Sequence, residues 1–174
     1  DASDYDSEGR VIRLDVGDFS VVNVYIPSGT TGDVRQDFKM KFLEDFLAFL
    51  NGLRKERPNL LVCGDFNIAH REIDIHNPVS NKNTSGFLPE ERAWVDSFLA
   101  TGFVDTYRHI HPDTVKYSWW SFRGGARKRN VGWRIDYFLV SPALLSSVSG
   151  VSIQNEIMGS DHCPVGIELK LNKT

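Results

Sequence analysis

The sequence predicts an α/β (α+β) domain in which a mixed sheet has helices packed outside it. Two β-branched runs, Val11 to Val16 and Phe19 to Tyr25, are separated by Gly17-Asp18, a pattern typical of a hairpin with a two-residue turn. Gly32 to Arg54 carries apolar residues at spacings of three and four, which predicts a long helix. Strand-like and helical segments are interspersed along the rest of the chain, and this order fits a mixed sheet better than a purely parallel one.

The remaining elements follow the same periodicities. Leu60 to Cys63 is a short, wholly apolar run, so we expect a strand that is buried on both faces. Ile73 to Gly86 is polar and predicts a loop, and Pro89 to Leu99 predicts a second helix with Pro89 in its first turn. Further strands are predicted at Tyr117 to Phe122, Ile135 to Val140, Gly150 to Ile153 and Val165 to Leu171.

The composition is that of a soluble globular protein, with 41% hydrophobic and 25% charged residues among 174. This length predicts one domain over residues 1–174, and no apolar run approaches the roughly 20 residues that span a bilayer. Asp1 to Arg10 is polar and acidic, unlike a signal peptide, and starts without Met, which indicates a processed chain. Cys63 and Cys163 lie far apart, with neither disulfide nor zinc spacing, so we expect a reducing, cytoplasmic setting.

Positive charge is concentrated in one stretch, residues 116–134, which we call the basic segment. The net charge of the chain is −3, yet this segment contains only basic charges, on Lys116, Arg123, Arg127, Lys128, Arg129 and Arg134. Aromatic residues interleave with them, namely Tyr117, Trp119, Trp120, Phe122 and Trp133. Such a segment favours a polyanion whose phosphates meet cations and whose bases meet aromatic faces. The alternative is that the aromatics face the core; in a strand, only one of Trp119 and Trp120 can do so.

Two polar motifs follow or separate strands. Gly64-Asp65-Phe66-Asn67 comes directly after the buried strand, where a carboxylate and a carboxamide two residues apart can point into one cleft. An ordinary Asx turn is an equal alternative for this motif. In Gly159 to Pro164, Asp161 supplies a hard oxygen ligand and His162 a group that can be protonated near neutral pH.

Two further side chains are candidates for the same cleft. Asp136 begins an otherwise apolar strand, where a charge needs a partner. That partner is either Arg134 or, for a functional site, His162, which Asp136 would hold in one tautomer and keep protonated. Tyr25 closes a strand before a Pro-Gly loop, and taken alone it favours a tyrosine at the rim of the core.

Together these stretches resemble the endonuclease/exonuclease/phosphatase superfamily, and more narrowly its exonuclease III-type abasic-site endonucleases. The stretches that carry the resemblance are "NVYIPSG" (23–29), "GDFNIAHREIDI" (64–75), "GFLPEERAW" (86–94), "NVGWRIDYFLVS" (130–141) and "GSDHCPV" (159–165). The resemblance implies a four-layered α/β sandwich of the DNase I-like type. It also implies a DNA phosphodiesterase that depends on Mg²⁺ or Mn²⁺ and has abasic-site endonuclease and 3′ exonuclease activities in base excision repair.

The resemblance also implies roles for individual residues. Asp65 would activate the attacking water and Asn67 would position it, while His162 and Asp136 would stabilise the charge of the phosphate. Tyr25 would lie at the scissile phosphate, and Asp65, Asn67, Asp161 and His162 would lie at the metal. Duplex DNA with abasic sites or 3′ ends is the implied partner; its expected contacts are Asn81, Trp119, Arg123, Arg127, Lys128, Arg129 and Trp133, with Trp119 and Trp133 lining the abasic sugar pocket.

Compared with that family, the chain corresponds to its C-terminal two-thirds and is N-terminally truncated, without the strand that bears the main metal-ligand Glu. A recombinant or proteolytic fragment, a second polypeptide that supplies the rest, and a non-catalytic DNA-binding remnant are the alternatives, and we favour the first. We therefore expect weak or no turnover by this chain alone, and self-association through exposed apolar edges. A phosphodiesterase that acts on lipid or small-molecule phosphates remains the alternative enzyme.

Overall fold

The computed structural model describes residues 5–170, and a mixed sheet lies at its centre. The strands are β1 (Val11–Val16), β2 (Phe19–Tyr25), β3 (Asn59–Asp65), β4 (Val104–Asp105), β5 (Trp119–Trp120), β6 (Gly132–Trp133), β7 (Asp136–Val140), β8 (Val148–Ile153) and β9 (Val165–Leu169). The helices are α1 (Asp33–Glu56), α2 (Pro78–Asn81), α3 (Pro89–Ala100), α4 (Thr106–Ile110) and α5 (Pro142–Leu145), with 3₁₀ turns at Glu72–Asp74 and Arg123–Gly125.

Within residues 5–170 the main sheet has five strands in the order β1-β2-β3-β7-β4. β1 and β2 form the predicted hairpin, with Val16 paired to Phe19 and Gly17 at a φ of +57° in the turn. β2 runs parallel to β3, whereas β7 is antiparallel to both β3 and β4. The predicted mixed sheet is therefore confirmed.

Helices α1 and α3 cover one face of this sheet. The buried cluster on that face joins alternate residues of β2 and β3 to Phe42, Phe46 and Leu50 of α1 and to Phe98 of α3. Phe49, whose spacing from Phe42 and Phe46 predicts a place on the same apolar face of α1, is exposed instead. Lys39 of α1 is fully buried, which the apolar periodicity does not predict.

The other face of the sheet packs against a two-stranded ladder of β8 and β9. Leu61 and Val140 of the main sheet meet Val148, Ile167 and Leu169 there. The same face of β1 is left open by the described residues: Ile12 is 66% and Leu14 60% exposed, and Val16 is also exposed. The expected exposed apolar surface is thus present in this part of the chain.

Several boundaries differ from the prediction. The strand predicted over Tyr117 to Phe122 is reduced to Trp119–Trp120, because the chain turns at Phe122 into a 3₁₀ turn. The predicted loop from Ile73 to Gly86 contains short helical turns, and the elements β4, α4, β6 and α5 have no counterpart in the predicted set. β9 ends at Leu169, and the predicted strand end at Leu171 lies outside the described residues.

A buried ionic cluster ties the elements together beside the sheet. Arg134 donates to both Asp74 and Asp105, and Arg108 donates to Asp74 as well. Arg134 is thus the partner of Asp74 and Asp105 and not of Asp136. Within residues 5–170, no helix is long and apolar enough to cross a membrane.

Candidate active site

The floor of the site is a row of side chains across three neighbouring strand ends. Tyr25 of β2 is paired in register with Asp65 of β3, and Asp65 is paired with Asp136 of β7. Directly paired residues present their side chains on the same face of a sheet, so the three project to one side. The register of the sheet therefore brings together three residues that lie far apart in the sequence.

A tight turn after β3 places the carboxamide of Asn67 beside Asp65. The backbone N–H of Asn67 donates to Oδ1 of Asp65 at 2.8 Å, and its Nδ2 donates to Oδ2 of Asp65 at 3.2 Å and to the carbonyl of Ile26 at 2.9 Å. Gly64 precedes the turn with a φ of +127°, and a Cβ there would lie 2.0 Å from the carbonyl oxygen of Val24. The Asx-type turn and the cleft site are therefore the same structure, since the turn aims both polar groups into the cleft.

His162 reaches the same floor from the loop between β8 and β9. Its Nδ1 lies 2.9 Å from Oδ2 of Asp136, and its Nε2 lies 4.0 Å from Oδ2 of Asp65. A bridge between Trp119 and His162 and a bond from the Cys163 amide to the Ser118 carbonyl fix this loop on β5. Of the two partners considered for Asp136, the structure selects His162.

The electrostatics of the floor set the protonation of its groups. Burial, reinforced by the nearby charge of Asp136, raises the pKa of Asp65 to about 6. The hydrogen bond to Asp136 raises the pKa of His162, against the opposing effect of its partial burial. Desolvation alone would raise the pKa of Asp161, but the hydrogen bonds from Trp119 and Ser160 lower it below its usual range. Near neutral pH the floor therefore combines a carboxylate with an imidazole that favours its charged form.

Two tryptophans form the walls of the cleft above this floor. The cleft has a volume of about 380 Å³, and Tyr25, Asp65, Asn67, Trp119, Trp133, Asp161 and His162 are among its lining residues. The rings of Trp119 and Trp133 meet edge to face at 6.1 Å, and Trp119 donates its indole N–H to Oδ2 of Asp161 at 3.0 Å. Trp120 is only 2% exposed, so one of the two adjacent tryptophans points inward, as predicted.

The cleft holds oxygen donors of the kind that a hard divalent cation binds. Asp65, Asn67 and Asp161 all line it, and carboxylate and carboxamide oxygens, completed by several waters, suit Mg²⁺. Within residues 5–170, no group of three or more His, Cys, Asp or Glu side chains is arranged to hold a metal ion. These donors therefore fit a hard ion in chemical type but do not form a complete cage by themselves.

The predicted DNA contacts divide into exposed and occupied side chains. Arg123, Lys128 and Arg129 are exposed. Arg127, also a predicted contact, instead donates to the carbonyls of Ser160, Asn155 and Ile157, and its guanidinium stacks over Trp120. The loop that carries His162 has backbone carbonyls that need a donor, and Arg127 supplies it, so its contact with DNA stays a prediction.

One other predicted contact, Asn81, and one further cation of the basic segment, Arg134, also have partners within the protein. Asn81, in α2, donates its amide to the carbonyls of His76 and Asn77, which leaves its Oδ1 towards Thr84. Arg134 is fully buried in the ionic cluster, so it is removed from the basic surface of the segment. The exposed cations of the basic segment are therefore concentrated around the 3₁₀ turn at Arg123–Gly125.

The periodicity and motif patterns miss two groups that support the site from behind. Lys39 and Glu91 form an ion pair with both side chains fully buried, and Lys39 also donates to the backbone carbonyl of Asn67. Ser118 accepts the backbone N–H groups of Ile135 and Asp136 and so fixes the start of β7. A lysine in a helix normally indicates an exposed side chain, so no local sequence pattern could have predicted the buried pair of Lys39 and Glu91.

Comparison with known proteins finds a matching family and similar nucleases. The model of the endonuclease/exonuclease/phosphatase family matches residues 2–162. An exodeoxyribonuclease of Bacillus subtilis is 47% identical over 97% of this chain, and a DNA-(apurinic or apyrimidinic site) endonuclease of Dictyostelium discoideum is 46% identical over the same share. The chain spans 66% of the length of the first relative and 47% of the second.

Solved structures agree with the sequence relatives. An AP endonuclease of Archaeoglobus fulgidus superposes with a TM-score of 0.86 at 31% identity, covering 94% of this chain and 66% of that one. A 3′ phosphatase of Neisseria bound to a product DNA hairpin gives a TM-score of 0.88 at 29% identity, covering 93% and 65%. The expected DNase I-like arrangement of mixed sheets and helices is thereby confirmed.

Proposed function

Because this chain belongs to the endonuclease/exonuclease/phosphatase family, we propose that its cleft is the site of a metal-dependent DNA phosphodiesterase of the exonuclease III type. Its substrates would be abasic sites and 3′ ends in duplex DNA, as in base excision repair. One observation carries the proposal: His162, held by Asp136, lies 4.0 Å across the cleft floor from Asp65. A water-activating carboxylate and a charge-stabilising imidazole thus face the same small volume.

The hydrolysis would begin with a water held between Asp65 and Asn67. Asp65, whose pKa is raised to about 6, is ionised at neutral pH yet basic enough to accept a proton from that water. The Asn67 carboxamide is fixed by its bonds to Asp65 and Ile26, so it can orient the water towards phosphorus. Negative charge then develops on the phosphoryl oxygens, where the imidazolium of His162 and the hydroxyl of Tyr25 would meet it.

A divalent cation would neutralise part of the phosphate charge and assist the leaving oxygen. Asp65, Asn67 and Asp161 are the described residues that would hold it, and Mg²⁺ or Mn²⁺ fits their oxygen atoms. His162 is the least suited of the predicted metal ligands, because its bond to Asp136 favours the imidazolium form, which lacks a lone pair for a metal.

The preference for an abasic site would come from the two tryptophan walls. Trp119 and Trp133 enclose a volume that suits a flipped-out sugar, and a base attached to that sugar would meet their rings. The exposed cations Arg123, Lys128 and Arg129 lie in the same segment of chain as the two tryptophans, where they would follow the DNA backbone. The Neisseria neighbour bound to a DNA hairpin supports this class of partner.

Incision of a duplex that contains one abasic analogue tests the proposal. In the presence of Mg²⁺, the full-length gene product should cut at the analogue and leave the matched undamaged duplex intact internally. Incision of neither duplex, at protein concentrations that bind both, would rule out an abasic-site endonuclease. For the 174-residue chain alone we predict weak or no turnover.

Two alternatives have distinct signatures. A phosphodiesterase for lipid or small-molecule phosphates would turn over such substrates without competition from duplex DNA, although such substrates need no long basic and aromatic segment. A DNA-binding module without catalysis would show salt-dependent binding and no hydrolysis in either the chain or the full-length gene product.

Two further predictions accompany this function. The exposed Ile12, Leu14 and Val16 of β1 support self-association of the chain, which sedimentation would detect as a dependence of mass on concentration. A cytoplasmic location stays a prediction that rests on the unpaired Cys63 and Cys163.

A further inference from the structure

A fully buried ion pair lies directly behind the cleft. Nζ of Lys39, in α1, is 2.6 Å from Oε1 of Glu91, in α3, and both side chains are 0% exposed. Burial lowers the pKa of Lys39, and the charge and hydrogen bond of Glu91 oppose that shift. The two helices are thus joined through charge at a depth where most helices are joined through apolar side chains.

Lys39 connects the pair to the turn that carries Asn67. Its ammonium donates to the backbone carbonyl of Asn67 at 2.9 Å. Asn67 has a φ of +49°, a left-handed conformation that is unfavourable for a residue with a side chain. A charged donor on its carbonyl holds the turn in that conformation, and with it the direction of the carboxamide.

Glu91 connects the pair to the opposite wall. Its Oε2 accepts the backbone N–H of Gly86 at 2.6 Å and that of Leu88 at 3.0 Å. A Cβ at Gly86 would lie 2.9 Å from the ring of Trp133 and 3.1 Å from the carbonyl oxygen of Asn67. The segment that Glu91 holds is therefore in contact both with the tryptophan wall and with the Asn67 turn.

Stability does not explain why charges occupy this position. Moving two charged groups out of water is costly, and apolar residues of similar volume at such positions are often neutral or stabilising. The carbonyl of Asn67 and the amides of Gly86 and Leu88, however, need charged or polar partners at this depth. Lys39 donates to the carbonyl of Asn67, and Glu91 accepts from the amides of Gly86 and Leu88, so the pair supplies both sets of backbone groups.

We propose that Lys39 and Glu91 are positioning residues for the cleft, which set the Asn67 carboxamide and the Trp133 wall in one fixed relation. This role rests on the proposed function, because it concerns how the same site is aligned. Neither side chain touches the cleft, so their removal would leave every group that faces the substrate in place but less well oriented.

The test compares the double variant Lys39→Met/Glu91→Gln with Lys41→Met, which removes an exposed charge from the same helix. Thermal unfolding is measured for each, together with ¹⁵N NMR spectra of the metal-free protein. Single-turnover and steady-state incision are measured with the full-length gene product. We expect the double variant to fold, with shifted or broadened signals from the Asn67 side chain and the Gly86 amide. Its kcat should fall by about 10-fold to 100-fold with KM changed less, while Lys41→Met behaves as wild type.

The single variant Glu91→Asp extends the test if the double variant does not fold, since Asp keeps the negative charge opposite Lys39 but shortens its reach to the backbone amides of Gly86 and Leu88. Unchanged Asn67 and Gly86 signals would overturn the positioning role, as would an unchanged kcat in an active protein. Failure of the proposed function is recognised separately: the wild-type protein would then not incise DNA, and the NMR comparison would still decide whether the pair fixes the turn.

Discussion

Nδ1 of His162 lies 2.9 Å from Oδ2 of Asp136, at a point where Asp136 is also paired with Asp65 across two strands. The carboxylate accepts from the imidazole and so fixes which ring nitrogen faces the cleft. Nε2 is the atom directed towards Asp65. The dyad therefore aims a proton-bearing nitrogen at the place where a phosphoryl oxygen would lie.

Asp136→Asn should lower the pKa of His162 towards its usual value of 6.5, since the bond to Asp136 is the main cause of the upward shift. The measurement is an NMR titration of the imidazole in the metal-free protein, with the signal assigned by its loss in His162→Gln. Asp161→Asn is the control and should have a smaller effect, because Asp161 acts only through its charge. An unchanged titration in Asp136→Asn would contradict the dyad.

The same shift has a consequence for stability. Because the pKa of His162 is raised in the folded state, its contribution is fully present below the unfolded value of about 6.5 and is lost as the pH rises through the folded value. The difference in unfolding free energy between wild type and Asp136→Asn should therefore shrink on going from acid to alkaline pH. Urea denaturation across that range measures it.

Gly86→Ala should destabilise the protein by about 1–3 kcal/mol, because the residue has a left-handed φ and its Cβ would press on Trp133. Gly125→Ala is the matched control, since its φ is also positive but its Cβ would meet open space. Urea denaturation of both variants separates the backbone cost from the contact cost. Equal losses in the two would show that Gly86 is not in contact with the tryptophan wall.

Asp74→Asn should cost about 3–5 kcal/mol, because Arg134 and Arg108 would lose the carboxylate that neutralises them in the interior. Burial opposes ionisation of Asp74, but Arg134 and Arg108 lower its pKa below the usual 3.8. Its contribution is therefore present above that value and lost as the pH falls through the lowered pKa. Chemical denaturation of Asp74→Asn and of the exposed control variant Asp113→Asn measures this cost. If the unfolding free energies of the two variants differed by less than about 0.5 kcal/mol, the usual effect of a surface change, the prediction would be contradicted.

Lys128→Ala and Arg129→Ala should each weaken duplex DNA binding and reduce the slope of log affinity against log salt by about 1. Arg127→Ala should instead leave the slope unchanged and lower the melting temperature, because its donors serve the loop that carries His162. Fluorescence anisotropy at several salt concentrations makes the comparison, with Lys41→Ala as a control on a distant helix. A reduced slope for Arg127→Ala would show that this side chain contacts a DNA phosphate.

The sequence predicts the site better than it predicts the framework around it. Asp65 is the last residue of β3, Asn67 lies in the turn after it, and His162 lies in the loop between β8 and β9. Polar residues at such positions are visible in the sequence as motifs, and the structure brings the three together. The elements β4 and α4 escape prediction because they are held by Asp105, which accepts two backbone amides and Arg134, and not by any apolar periodicity. Tertiary contacts of this kind produce no periodic pattern in the sequence.

The sequence also fails to predict which charged residues are exposed and which are buried. Lys39 and Arg134 have the sequence signature of surface cations, yet both are fully buried, because each has a carboxylate partner from a distant element. Arg127 is drawn from the basic segment into the loop of His162 by three carbonyls. Charge counted along a sequence therefore overstates the surface available for DNA, since it cannot show which cations already have partners.

The most direct test of the account is the rate of incision at a single abasic analogue in duplex DNA with Mg²⁺, for the full-length gene product and its Asp65→Asn variant. Asp65→Asn keeps the shape of the side chain but removes the base that would activate water. We predict incision by the wild type and a loss of at least about 100-fold in the variant, with duplex binding retained. Equal rates for the two proteins, or no incision by the wild type, would contradict the assignment of this cleft as a phosphodiesterase site.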